Sequence, residues 1–164
     1  MTGSGNSTLP SQTYTGYISI KAFITLVCQP RLLTHLSCLN MVVEIGVEGY
    51  DAFQKVAEEN KGKVVFALFC GSIDANGQSW CPDCVVAAPV INANLKYAPK
   101  DSVLIHCGVG DRQFWKDQNN AFRKDNRLAL KSVPTLLKLG QPQRLEEAQC
   151  AKPEMVKMLF EDGE

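Results

Sequence analysis

Two cysteines separated by two residues, Cys81 and Cys84, constrain this chain more than any other feature. The run 63–69 before them is apolar and rich in β-branched and aromatic residues, which predicts a strand buried on both faces. The polar, glycine-containing stretch 71–79 predicts a loop, and residues 85–95 predict a helix. Such a unit brings the two sulfurs to one helix N-terminus, where the pair can cycle between dithiol and disulfide.

Pro82 indicates where that helix begins, because the missing N–H of a proline costs nothing at the first helical position. Cys81 is then the N-cap, where free backbone N–H groups favour its thiolate, and Cys84 follows almost one turn later on the same side. Asp83 opposes the thiolate by roughly 0.7 kcal/mol at ~6 Å in water, against ~0.3–1 kcal/mol from the helix dipole. We therefore expect direct N–H bonds to decide the pKa of Cys81, which should lie below ~8.5.

A close cysteine pair can also be half of a zinc site or a structural disulfide. Structural zinc usually has four Cys or His ligands. The nearest further ligands, His106 and Cys107, are adjacent on a predicted strand and so point to opposite faces. No metal site is therefore expected, and a redox pair is favoured over a purely structural disulfide.

The other five cysteines show no framework spacing, which is typical of a reducing compartment. Cys107 falls on a predicted strand and Cys70 directly follows one, and both are expected to be small core residues, although a redox role for either stays open. The same question stays open for the three that carry no pattern at all, namely Cys28, Cys38 and Cys150.

Length and charge limit the remaining function classes. A chain of 164 residues is long enough for one domain with a real core. Its 17 basic and 17 acidic residues balance, which gives no support for a nucleic-acid or anionic-membrane partner. No apolar run approaches the ~18–20 residues that a membrane span requires.

The first 40 residues differ in composition from the rest, because they contain two basic residues and no acidic one. We expect 1–40 to be a disordered or aberrant extension and 41–164 to form the domain. The apolar run 22–28 leaves a secretory signal as an alternative, but its basic n-region is almost absent and no convincing small-residue cleavage site follows.

From residue 41 onward the apolar patterns alternate between strand and helix. Strands separated by helices imply parallel pairs, and a terminal hairpin adds antiparallel ones, so the predicted fold class is α/β, a mixed central sheet flanked by helices on both faces. In the second helix, Val86, Val90 and Leu95 are expected to share a face. The predicted elements are strand 41–46, helix 50–60, strand 63–69, helix 82–95, strand 102–109, loop 110–118, helix 119–126, strands 135–139 and 143–146, and a helix from 153.

Trp80 before the cysteine pair and Val133-Pro134-Thr135 before the hairpin complete a pattern that resembles the thioredoxin family. The loop 71–77 and the segment 114–117 are similar to a small cytosolic branch of that family, and the resemblance covers 41–164. It implies a thioredoxin-like fold in which Cys81 is the nucleophile and Cys84 the resolving cysteine. Pro82 and Asp83, which replace the usual Gly-Pro, would tune the redox potential.

The resemblance also implies a substrate surface beside the sulfur. It predicts a cis bond before Pro134, with backbone groups of Val133 presented to a substrate disulfide. Trp80 is expected either to cover the sulfur as a lid or to be a core aromatic. Typical thioredoxins bury an aspartate in the strand before the motif, whereas the run 63–69 contains no acid.

The activity implied is that of a monomeric cytosolic disulfide reductase with no bound cofactor, supplied with electrons from NADPH by thioredoxin reductase. The implied substrates are cystine and selected protein disulfides. The family is further associated with peroxide removal, a dynein light chain partner, and tumour-necrosis-factor and NF-kappa-B signalling. Two alternatives remain open, namely a non-enzymatic thioredoxin-fold adaptor and an oxidant or isomerase of a secretory compartment.

Overall fold

The computed structural model describes residues 42–161, so the expectations for 1–40 lie outside the described residues. Strands and helices alternate along the described part up to a hairpin and a last helix. The strands are β1 (Val43–Glu48), β2 (Val65–Cys70), β3 (Val103–Gly108), β4 (Thr135–Lys138) and β5 (Arg144–Glu146), and the α-helices are α1 (Tyr50–Glu59), α2 (Pro82–Asn94), α3 (Arg112–Lys116), α4 (Ala121–Lys124) and α5 (Pro153–Glu161), with 3₁₀ turns at Leu95–Tyr97 and Glu147–Ala151.

The strands form one mixed sheet in the order β1-β3-β2-β4-β5. Strand β3 pairs in parallel with β1 and β2, whereas β4 is antiparallel to both β2 and β5. The predicted mixed α/β sheet is therefore confirmed, with β1 at an edge. Because the cysteine motif follows β2, it emerges at the carboxyl end of a strand with neighbours on both sides.

Strand β2 divides the core into two layers, because successive residues of a strand point to opposite faces. Phe66 and Leu68 face one layer, and Ala67 and Phe69 face the other. The ring of Phe69 meets the rings of Phe53 and Phe122 edge to face, at centroid distances of 4.9 and 5.8 Å. Helices therefore cover both faces of the sheet, with α1 and α4 on one side and α2 and α5 on the other.

Two details of the sequence prediction are wrong. The stretch 110–118 is not a plain loop, because Asp111 accepts a bond from the backbone N–H of Phe114 at 2.7 Å and starts the short helix α3. In α2, Val86 is exposed, while Val90 and Leu95 are partly buried. The helix start at Pro82 sets the phase, so the buried face consists of Cys84, Ala87, Ile91 and Asn94.

No helix within residues 42–161 combines the length and the apolar character that a membrane crossing needs.

Candidate active site

Helix α2 begins where the motif predicted. Pro82 is its first residue and Cys81 is its N-cap. The backbone N–H of Cys84 lies 3.2 Å from the Sγ of Cys81 and 3.1 Å from the Cys81 carbonyl oxygen, so this donor of the first helical turn is shared between the sulfur and the backbone. Such a bond stabilises a thiolate at the same atom.

The two cysteines are brought together as a disulfide, with their Cα atoms 5.3 Å apart. Both are buried, although Pro82 and Asp83 between them are exposed. Among residues 42–161 there is no group of three or more His, Cys, Asp or Glu side chains that could hold a metal ion. The pair is therefore positioned for dithiol–disulfide chemistry.

Val133 and Pro134 lie beside the pair although they are some 50 residues away in sequence. The peptide bond between them is cis. The carbonyl oxygen of Val133 lies 3.6 Å from the Sγ of Cys81. Val133 therefore lies against Cys81 with Pro134 next to it in the chain, and the role of both residues in substrate binding stays a prediction.

Trp80 is held in place on both sides. Its Nε1–H donates to the carbonyl oxygen of Gly110 at 2.8 Å, and its partly buried ring packs against the core. A Cβ added at Gly71 would lie only 2.6 Å from the ring atom Cε2, so the ring fills the space over the end of β2. Trp80 is thus anchored in the core next to Cys81 in the chain, and its role as a lid over the sulfur stays a prediction.

The loop 71–79 is ordered by its own polar groups. Asp74 Oδ1 accepts from the backbone N–H groups of Asn76 and Gln78 at 2.8 and 3.0 Å, and Ile73 forms a β-bridge with Ser79. The bonds from Gln78 and then Asn76 hold the pKa of the Asp74 carboxyl below its usual value. Asp74 is therefore a structural residue of the loop.

Sequence reasoning missed Glu48 and Ser72. The hydroxyl of Ser72 donates to Glu48 Oε1 and accepts from the backbone N–H of Gly110 at 2.7 Å. The carbonyl oxygen of the same Gly110 accepts the bond from the Trp80 indole. These residues join the end of β1, the motif loop and the segment after β3. Their sequence separations of 24 and 38 residues give no local pattern by which they could have been found.

The three other cysteines in the described part are poor nucleophiles. Burial, and secondarily Cys150, raises the pKa of the Cys70 thiol to about 12. Burial likewise raises the pKa of Cys150 to about 11 and that of Cys107 far above its ordinary value. These thiols stay protonated at neutral pH. Cys28 and Cys38 lie outside the described residues.

We expect Asp83→Asn to raise the alkylation rate of Cys81 in the reduced protein roughly twofold near neutral pH, because an exposed negative charge that opposes the thiolate is removed. The measurement is the iodoacetamide rate of each reduced protein as a function of pH. Asp51→Asn, which changes an exposed acid in the first turn of α1, is the matched control and should leave the rate unchanged. A slower reaction in Asp83→Asn would show that this carboxylate supports the thiolate.

Known proteins match the part of this chain that contains the cysteine motif. The sequence model of the family described as thioredoxin domain-containing protein 17-like, thioredoxin domain, matches residues 46–162. Thioredoxin domain-containing protein 17 of Epinephelus coioides is 50% identical over 117 residues, covering 71% of this chain and 94% of the relative. The human protein of that name is 48% identical over 119 residues, covering 73% and 95%.

More distant relatives share less of the sequence. The thioredoxin-like protein Clot of Arabidopsis thaliana is 39% identical over 106 residues, covering 62% of this chain and 79% of its own length. A solved thioredoxin from Halobacterium salinarum is 18% identical and superposes with a TM-score of 0.47, covering 74% of this chain and 90% of its own.

Proposed function

The chain belongs to the thioredoxin domain-containing protein 17-like family, and on this premise we propose that it is a disulfide reductase that uses the Cys81–Cys84 pair. Membership of a thioredoxin family supports a thioredoxin-like redox role. The observation that carries the proposal is the N-cap geometry, in which a helix-end N–H lies 3.2 Å from the Sγ of Cys81 while Cys84 lies within bonding reach of the same atom.

In the first step the Cys81 thiolate attacks one sulfur of a substrate disulfide. A Cys81–substrate disulfide forms, the substrate S–S bond breaks, and the other substrate sulfur leaves as a thiolate. The backbone N–H of Cys84, 3.2 Å from the Cys81 sulfur, stabilises the attacking thiolate. The carbonyl oxygen of Val133, 3.6 Å from the Cys81 sulfur, lies where an incoming substrate backbone can pair with this segment.

In the second step the Cys84 thiolate attacks the Cys81 sulfur, and the second substrate sulfur leaves. The protein is then oxidised to the Cys81–Cys84 disulfide, and the substrate has gained two electrons. Cys84 lies in the first turn of α2 within bonding reach of the Cys81 sulfur, so it is positioned for this second attack. Pro82 and Asp83, which separate the two, would tune the potential of the pair.

The finer proposals rest on family resemblance. We propose that NADPH supplies the electrons through thioredoxin reductase, with no cofactor bound to this chain, and that cystine and selected protein disulfides are the substrates. We also propose that the protein is a cytosolic monomer that contributes to peroxide removal and has a dynein light chain partner. The same proposal gives it a part in tumour-necrosis-factor and NF-kappa-B signalling.

The test is a coupled assay in which NADPH oxidation is followed with thioredoxin reductase and cystine. We expect oxidation to depend on the concentration of this protein and to exceed the rate with reductase and cystine alone. A non-enzymatic adaptor would leave the NADPH rate at that background. Repeating the assay with a protein disulfide in place of cystine separates the two proposed substrate classes.

A further inference from the structure

An apolar groove with a volume of about 730 Å³ lies beside Cys84, on the side of the sheet that α2 covers. Its size is in the range of sites that hold ligands. Helix α2 contributes Val85 and Ala88, the loop contributes Ile73, and the strand ends contribute Leu68. Cys84 lines the groove and Cys81 does not, but the disulfide between them shows that the Cys81 sulfur lies next to the Cys84 sulfur at the edge of the groove.

The groove is open and its rim is apolar. Within residues 42–161, no atom beyond its chain neighbours lies within 4 Å of a Cβ added at Gly46, which lines the groove at β1. At the rim, Ile73 is 69% exposed and Val85 is 55% exposed. Apolar side chains gathered around a concave surface favour a ligand that covers them. The groove is therefore suited to an apolar segment.

The charges around the groove have one sign. Glu48 is the carboxylate that lines it, and no lysine or arginine among residues 42–161 does so. His106, also in the lining, has its Nε2 2.9 Å from Glu44 Oε2. One oxygen of Glu48 accepts from Ser72. Complementarity then favours a ligand whose charged end is cationic.

The strand order gives the distance between Glu48 and the cysteine motif. Glu48 ends β1, and the motif follows β2, with β3 between them. Two strand spacings separate β1 from β2 by roughly 10 Å, and an extended peptide covers this in about three residues. A basic residue about three positions from a reacting cysteine can therefore reach Glu48.

We propose that this groove binds the apolar segment of a disulfide-bearing peptide, with apolar residues next to the reacting cysteine and a lysine or arginine about three positions away facing Glu48. The inference rests on the proposed reductase function and names its substrate class. Cys81 attacks the peptide sulfur and the second sulfur leaves, after which Cys84 attacks Cys81 and releases the peptide thiol.

The test uses short peptides with one cysteine joined to thionitrobenzoate, so that attack on the peptide sulfur releases a coloured thiolate. One peptide has leucines beside the cysteine and a distal lysine, a second has serines in place of the leucines, and a third has a distal glutamate in place of the lysine. With pre-reduced protein and no reductase, the leucine–lysine peptide should react about tenfold faster than the serine peptide and about two- to fivefold faster than the glutamate peptide.

Matched variants assign the preference to the groove. Val85→Ser and Ile73→Ser should each reduce the leucine-to-serine rate ratio severalfold. Val86→Ser is the control, because Val86 is the next residue of α2, is 59% exposed and does not line the groove. Glu48→Gln keeps an oxygen that accepts from Ser72 and should abolish only the lysine-to-glutamate ratio. Thermal melts establish that each variant is folded, and the Ile73 side chain is largely exposed, so Ile73→Ser removes little buried apolar surface.

The outcomes separate this proposal from the function on which it rests. If reduced wild type reacts with no peptide faster than free cysteine does, the reductase proposal fails and the groove proposal falls with it. If it reacts with all peptides equally, or if Val85→Ser and Ile73→Ser leave the preference intact, the function stands and the groove is not the peptide site. Loss of the preference in Val86→Ser to the same extent would also overturn the proposal.

Discussion

Cys84→Ser should accumulate a stable mixed disulfide through Cys81 when its reduced form meets cystine or a disulfide-bearing protein, whereas Cys81→Ser should trap nothing. The reason is the division of roles at the helix start. The Cys81 sulfur is the N-cap and accepts the helix-end N–H, while Cys84 lies inside the first turn. Serine at position 84 leaves the attack possible but removes the second thiolate, so the intermediate persists.

Turnover in the coupled NADPH assay should fall to background in both variants, so the trapping experiment is the one that separates them. Intact-mass spectrometry reads the adduct directly, and peptide mapping locates it. Cys70→Ser is the matched control, because its thiol is partly buried with a pKa near 12 and should contribute no adduct. If Cys81→Ser traps partners and Cys84→Ser does not, the attacking and resolving roles are reversed.

Gly71→Ala should destabilise the protein by about 1–3 kcal/mol and slow the reaction of Cys81. An added Cβ would lie 2.6 and 2.9 Å from Trp80 ring atoms and 3.0 Å from Cys81 Cβ. The contacted atoms belong to the rigid indole ring, which cannot make room by rotating only its outer part. The whole ring or the end of β2 must therefore shift. That shift would weaken the bond from Trp80 to Gly110 and displace the N-cap.

Denaturant midpoints and the alkylation rate of Cys81 measure the two effects of Gly71→Ala. Gly46→Ala is the control for stability, because no atom of residues 42–161 beyond its chain neighbours lies within 4 Å of the added Cβ, so its stability should not fall. Equal stability of the two variants would mean that the space over β2 adapts to an extra methyl group without cost.

Local chemistry determined where α2 begins and how β2 is buried. The start of α2 followed from Pro82 and the cysteine spacing alone, because helix-end donors and proline geometry act within a few residues. The burial of β2 on both faces followed from its unbroken apolar run, and its alternation then set both layers of the core. Family resemblance, rather than local chemistry, predicted the cis peptide bond before Pro134.

The details that failed depend on phase and on short capping bonds. The buried face of α2 was misplaced at Val86, because helix phase is set by where the helix starts and what it packs against rather than by which residues are apolar. The helix α3 was missed because it has only five residues and depends on one Asp111 cap. Such an element has too few residues for a periodic pattern.

Only the tertiary structure decided what surrounds the redox pair. Val133 meets Cys81, Glu48 meets Ser72, and Trp80 meets Gly110 across 24 to 52 residues of chain. The groove beside Cys84 arises where strand ends, loop 71–79 and α2 leave a space between them. The physical reason is that a sequence pattern indicates only which residues prefer burial. Which of them become neighbours depends on the strand order and on the packing of layers, and both are properties of the whole fold.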